Sequence, residues 1–179
     1  MKYGIGQSVL RVEDQRLLRG EGRFTGDVDL PGQVWLQVVR SPHANARIRN
    51  IDVTAARAAP GVLAVLTGED YAAEGFGVST IDFLNIDGGA FRYRDGTSLF
   101  MPENSVLATE RVRYVGDNIV LVVAGTNNQA IDAAELVRIE YELLPAVAHA
   151  AAALEPDAPR VWEDAPDNIC ADVEYGDEA

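Results

Sequence analysis

Hydrophobic positions between residues 112 and 141 fall into three successive patterns. Ile119-Val120-Leu121-Val122-Val123-Ala124 is an unbroken apolar run, the signature of a strand covered on both faces, and Gly125 ends it. Thr126-Asn127-Asn128-Gln129 reads as a capping box, with the Thr126 hydroxyl accepting from an amide three residues on and Gln129 reaching back. In the helix that follows, Ala130, Ala133, Ala134 and Val137 share one face, and their small size lets a helix lie close to a sheet. Arg138-Ile139-Glu140-Tyr141-Glu142-Leu143 then alternates polar and apolar, as a half-buried strand does. The unit is strand, helix, strand.

The same patterns organise the first half. Residues 34–40, Val-Trp-Leu-Gln-Val-Val-Arg, predict a strand broken by Ser41-Pro42. Residues 46–52 predict another, residues 53–58 a short helix stopped by Pro60-Gly61, and residues 62–67 a second buried strand. Residues 91–99 carry Asp95-Gly96 between alternating runs, which predicts a type I′ hairpin projecting from the sheet. Residues before Val34 form a turn-rich opening segment ending at Leu30-Pro31-Gly32. The fold class expected is α/β (α+β), with a mixed sheet, packed helices and a hairpin excursion. No repeat of ~20–50 residues is present.

Composition adds boundaries. A chain of 179 residues suits one domain, with 47% hydrophobic and 24% charged residues in ordinary globular proportion. No apolar run approaches the ~18 residues of a membrane span and no signal-peptide core opens the chain, so cytoplasmic residence is expected. A net charge of −13 argues against nucleic acid, whose binding requires clustered Lys and Arg. The acidity concentrates from Glu155 onward, where Arg160 is the one cation; residues 155–179 read as an acidic tail, with Val161-Trp162 docking and the chain beyond Asp172 fraying.

Candidate chemistry is sparse. Cys170 is the single cysteine and is expected to be a small core residue. His43 and His149 lack second ligands at metal-site spacing. Glu69-Asp70 and Glu163-Asp164 read as solvated loop acids, and Arg11, Arg16, Arg19 and Arg23 as scattered surface charge. Residues 20–26 are glycine-rich, yet lack both the spacing and the strand-to-helix context of a dinucleotide loop. No catalytic, cofactor-binding or metal-binding residue emerges.

Several segments, in order, carry a family resemblance: Arg11-Val12-Glu13-Asp14, Leu17-Leu18-Arg19-Gly20, Phe24-Thr25-Gly26-Asp27 and Arg40-Ser41-Pro42-His43-Ala44-Asn45-Ala46-Arg47-Ile48. Then come Pro60-Gly61-Val62, Thr67-Gly68-Glu69-Asp70, Val112-Arg113-Tyr114-Val115-Gly116 and Glu140-Tyr141-Glu142-Leu143-Leu144-Pro145. Together they resemble the N-terminal α/β-hammerhead domain of the large, molybdenum-binding subunit of the xanthine dehydrogenase, aldehyde oxidase and aerobic carbon-monoxide dehydrogenase family. Asn45 stands where the family usually has a second histidine, which removes a polar group from a loop that can touch a partner domain.

The resemblance implies a hammerhead domain over residues 1–154, with residues 155–179 leading toward molybdopterin-binding domains. It implies a parent oxidoreductase, a molybdenum hydroxylase acting on aldehydes, heterocycles, CO or similar small substrates with water-derived oxygen. Its molybdenum would be held by a pterin dinucleotide, with iron–sulfur clusters and FAD on partner subunits or domains and none of these cofactors on this chain. A structural, catalytically inactive fragment is the expectation, with Arg40, Ser41, His43, Arg47 and Tyr93 as possible interdomain contacts. The alternative is a self-contained binding or scaffold protein of the same fold without redox chemistry, and whether the reading frame continues past Ala179 separates the two.

Overall fold

The structure is a computed structural model that describes residues 4, 6, 11–78 and 93–172. The chain divides between Gln33 and Val34 into two compact units, and residues 155 to 172 belong to the second rather than forming a separate tail after residue 154. In the first unit, helix α1 (Asp14–Leu18) buries no side chain and is flanked by the exposed pairs Arg11–Asp14 and Arg16–Glu13, at 3.6 and 3.5 Å. The glycine-rich stretch holds a single 3₁₀ turn, Thr25–Asp27, in which the Asp27 carboxylate accepts from the Phe24 amide.

The second unit runs β1 (Trp35–Arg40), β2 (Ala46–Asp52), α2 (Thr54–Arg57), β3 (Val62–Thr67), α3 (Gly68–Ala73), β4 (Arg111–Val112), β5 (Asn118–Ala124), α4 (Asn127–Glu135), β6 (Arg138–Leu143) and α5 (Ala150–Ala153). It contains two three-stranded sheets, ordered β1-β5-β3 and β4-β2-β6, and all four described pairings are antiparallel. The expected mixed sheet is therefore replaced by two antiparallel ones. Helix α4 carries the chain from one sheet to the other, so β5 and β6 never become parallel neighbours. Among the described residues no helix is long and apolar enough to cross a membrane.

One core joins the sheets. Val65, Val120 and Val122 from the first, Ala46 and Val112 from the second, and Ala56 and Ala133 from the helices pack into a single buried cluster. The small face of α4 forms as its spacing predicts. Only half of its capping box does: the Thr126 hydroxyl accepts from the Gln129 amide at 3.3 Å, while the Gln129 side chain lies over Gly61. Gly61 has φ +78°, and a Cβ there would collide with that side chain.

Strand β5 departs from expectation more sharply. Val120, Val122 and Ala124 are buried, but the alternate Leu121 and Val123 are only half-buried, so the strand is apolar on both faces and covered on one. Strand β3 is an edge, with Val65 its one fully buried residue and Leu63 bulged outward. Asp70 is no loop acid. It closes the α3 capping box by accepting from the Thr67 amide and hydroxyl, at 2.9 and 2.8 Å, and pairs with Arg57 at 2.8 Å.

The Asp-Gly turn also differs. The Gly96 amide donates to the Tyr93 carbonyl at 2.8 Å and the Tyr93 amide to the Thr97 carbonyl at 2.9 Å, which centres the turn on Arg94 and Asp95. Gly96 follows at φ +84°, the arrangement of a type I turn with a glycine bulge rather than type I′. The Asp95 carboxylate favours it by accepting from the Thr97 amide and hydroxyl, at 2.9 and 2.7 Å. The turn is exposed from Arg94 to Ser98, as expected, but it is tethered: the Arg94 amide donates to the Asp172 carbonyl at 2.8 Å and the Tyr93 hydroxyl to the Ile169 carbonyl at 2.9 Å. Phe91, Arg92 and the chain beyond Asp172 lie outside the described residues.

Two outcomes follow from this packing. Val122 is fully buried between β1 and β3, so Val122→Asp places an unpaired carboxylate in the core. A cost above about 4 kcal/mol is expected, read as loss of a cooperative thermal transition. Asp70 has its carboxyl held below its ordinary 3.8, first by the Thr67 amide, then by the Thr67 hydroxyl, with Arg57 contributing less. A depressed acid contributes stability above that ordinary value and loses it as pH falls through the lower folded one. With the Asp70 side chain 39% exposed, the discounted effect is about 0.5–1 kcal/mol, and Asp70→Asn should flatten the melting-temperature profile below about pH 4.

Candidate functional site

Arg111, Val112 and Arg113 alternate across the β4 edge: Val112 enters the core, and the two arginines turn together toward a broad groove of about 1120 Å³. Its walls come from β2, the segment after Phe100, and residues 161 to 164. Arg111 is the best-held cation of the second unit. Its side chain is 10% exposed, and it donates to the Asn45 side chain at 2.8 Å, the Glu163 carboxylate at 2.9 Å and the Arg160 carbonyl at 3.2 Å. Glu163 also receives Arg47 at 3.4 Å.

Arg113 packs its guanidinium carbon 3.7 Å from the centre of the Trp162 ring, which Phe100 approaches from another direction at 6.5 Å. Its Nε is buried and has no hydrogen-bond partner among the described residues. Burial first, and then repulsion from Arg111, pushes its pKa down. An arginine so placed still carries its charge, and the ring face, the nearby Asp117, Glu163 and Glu110 carboxylates and the Arg111 carbonyl offset its burial. The groove is thus a mixed ionic surface: Arg47, Arg49, Arg111 and Arg113 face Glu103, Glu110, Asp117, Glu163 and Asp164.

The residues singled out for interdomain contact fall in three places. Arg40 donates to the Gly116 carbonyl at 3.0 Å and to the Asn118 side chain. Ser41, 2% exposed, presents no surface; its amide donates to the Asp117 carbonyl and its carbonyl accepts from the Gly116 amide, both at 2.8 Å. Its hydroxyl is bonded to both the amide and the carbonyl of His43. His43 meets Tyr141 edge-on at 4.8 Å. The Arg-Ser-Pro-His, Tyr-Val-Gly and Glu-Tyr-Glu segments, far apart in sequence, therefore meet in one cluster. Arg47 joins the groove through Glu163, and Tyr93 anchors residues 169 and 170.

Asn45 is a junction rather than a loss, since its amide donates to the Pro145 carbonyl while its oxygen receives Arg111. Glu163 is the exposed loop acid expected, and it also pairs with Arg47 and Arg111. Cys170 is exposed and free, because its segment is held by backbone contacts from Tyr93 and buries little of its own. Sequence reading missed Arg111, Arg113 and Trp162 as one unit, although arginines at alternate positions around a buried valine signal a shared face.

Trp162→Ala should remove the ring that supports Arg113 and leave that charge half-buried. A loss of about 2 kcal/mol is expected, with faster hydrogen exchange confined to residues 161–172. Unchanged exchange there would show that the ring does not hold the segment.

Residues 19–145 match the family described as aldehyde oxidase and xanthine dehydrogenase, a/b hammerhead domain. The carbon monoxide dehydrogenase large chain of Afipia carboxidovorans is 38% identical over 93% of this chain and 18% of its own length. Subunit gamma of the 6-hydroxypseudooxynicotine dehydrogenase complex of Paenarthrobacter nicotinovorans is 44% identical over 79% of this chain and 17% of its own. Quinoline 2-oxidoreductase from Pseudomonas putida 86 superposes with a TM-score of 0.76 at 38% identity, covering 93% of this chain and 20% of that one. The chain thus spans about a fifth of these relatives. With its sequence matched across residues 19–145 and its two-sheet fold shared, it belongs to the α/β-hammerhead domain family of the molybdenum hydroxylases.

Proposed function

We propose that this chain serves as the hammerhead portion of a molybdenum hydroxylase large subunit in the cytoplasm, where it braces neighbouring cofactor-bearing domains. The observation that carries the reading is how its polar side chains are used. Arg40, Ser41, Asn45, Arg111 and Arg113 bind backbone carbonyls, carboxylates and a ring of this same chain, which is the chemistry of a brace. Arg40 and Arg47 keep exposed portions and are the residues of the contact set placed to meet a neighbouring domain.

The parent activity on this reading is hydroxylation of a small aldehyde, heterocycle or related substrate with oxygen from water. A molybdenum held by a pterin dinucleotide would supply the redox centre when bound, with iron–sulfur clusters and FAD on partner domains or subunits. One cysteine cannot supply the four thiolates of a cluster, and among the described residues no three His, Cys, Asp or Glu side chains gather as a metal site.

Elemental analysis tests the reading. The 179-residue chain purified alone should contain no molybdenum and show no visible absorption, whereas a complex isolated from the native cell through a tag on this chain should contain both. Stoichiometric molybdenum or a flavin band on the chain alone would overturn the architectural role. Recovery of the chain from cells with no molybdenum-bearing partner or extension would favour a self-contained scaffold.

A further inference from the structure

The β1-β5-β3 sheet has one face in the core and one outside it. Register places Leu36, Val123 and Ala64 side by side in one row, and Val38, Leu121 and Leu66 in the next. Directly opposed residues of antiparallel strands point to the same side, so these six aliphatic side chains form one continuous block. None of them belongs to the buried cluster or to the hydrophobic residues packed against it. Leu36 is 54% exposed and Leu63, bulged at the rim, 63% exposed, while Val38, Ala64, Leu66, Leu121 and Val123 are half-buried among one another. The helices α2 and α4 contribute Ala56 and Ala133 to the core on the opposite face, that of Val120 and Val122.

The geometry points to this aliphatic sheet face as the surface on which the rest of the large subunit docks, through an apolar and uncharged surface of its own. The inference rests on the function proposed above and deepens it by naming the contact. Three observations select that occupant. The block carries no charge in a chain of net charge −13, so a polyanion, a basic peptide or a charged membrane surface finds nothing to bind there. With strands about 4.8 Å apart and two rows about 7 Å apart, the block covers roughly 200 Å². That is far below the ~800 Å² per partner of a stable association between separate molecules, so a second copy is disfavoured. It is enough as the centre of a contact between linked domains, where a high effective concentration adds to modest area. Finally, about four-fifths of each relative lies outside the stretch matched by this chain, and the partner is to be found there.

Thiol footprinting tests the assignment. In a Cys170→Ser background, Leu36→Cys and Val123→Cys place reporters on the face, and Ile131→Cys, on the exposed side of α4, serves as the control. Each is labelled with a soluble maleimide in the 179-residue chain alone and in the molybdenum-bearing enzyme assembled with it. All three should react in the chain alone. In the enzyme the two face reporters should slow at least tenfold while the control is unchanged. As a second arm, Leu36→Glu should leave the melting temperature of the chain alone within a few degrees and abolish recovery of molybdenum with it. Equal reactivity in both states, or full assembly of Leu36→Glu, overturns the docking face and leaves the functional reading intact. If no molybdenum-bearing assembly forms even with the unmodified chain, the functional reading fails and the docking face falls with it. Concentration-dependent dimerisation that protects the face reporters in the chain alone would assign the surface to self-association instead.

Discussion

The two sheets of the second unit are held in register by a pair of backbone hydrogen bonds at Ser41. The chain leaves the first sheet after β1 and enters the second at β2; it returns from β4 to β5 through residues 113–117. These crossings are bonded to each other, Ser41 giving its amide to Asp117 and accepting from Gly116. Ser41 is buried at its crossing, and an orphaned buried peptide group costs about 1–3 kcal/mol. Pairing with the return crossing removes that cost at Ser41. Gly116, at φ +95°, lets the return turn tightly enough to present its amide, and Arg40 closes the clasp from outside through the Gly116 carbonyl.

A second closure, built on charge, depends on the first. Strand β4 has only two residues, and its Arg111 and the following Arg113 face the groove because Val112 between them is fixed in the core. Arg111 gathers Asn45, Glu163 and the Arg160 carbonyl, while Arg113 lies on Trp162. Asn168 then fastens the segment from within, accepting from the Val161 amide and donating to the Ala153 and Pro159 carbonyls. An acidic stretch with little apolar periodicity is thereby ordered through Asp172. Its anchors are a ring, a carboxylate and an amide rather than a core of its own, which explains why Ala165 is its one fully buried residue.

Periodicity made most of the strands and helices legible. Residues 46–52 and 62–67 form strands with the bounds their patterns predict, and α4 follows the spacing of its alanines. Hydrophobic pattern specifies which side chain faces inward but not which strand lies alongside. Partition into two antiparallel sheets therefore came from pairings that no local window contains. The Asp95 turn was misread because a carboxylate bond to the Thr97 amide moved the turn by one residue. Asp70 was misread because its capping box with Thr67 went unnoticed, and the ion-pair partners of Asp70 and Glu163 lie 13 and 52 residues away, beyond any local window. The family resemblance succeeded where local reading stopped, and three of its scattered motifs converge around Ser41, Gly116 and Tyr141.

Strand β5 shows why a disagreement between pattern and burial can be informative. A strand with one wet face alternates, because a polar side chain on that face costs nothing and guards against association. In β5 the residues pointing away from the core are Leu121 and Val123, and their neighbours across both ladders are Leu36, Val38, Ala64 and Leu66. Hydrophobicity thus extends across three strands on a face that the buried cluster leaves out. The core face of the same three strands is aliphatic too, through Val39, Val120, Val122 and Val65, so the sheet is apolar on both of its sides. The pattern is that of a sheet with two apolar faces, one covered by α2 and α4 and the other the docking face inferred above.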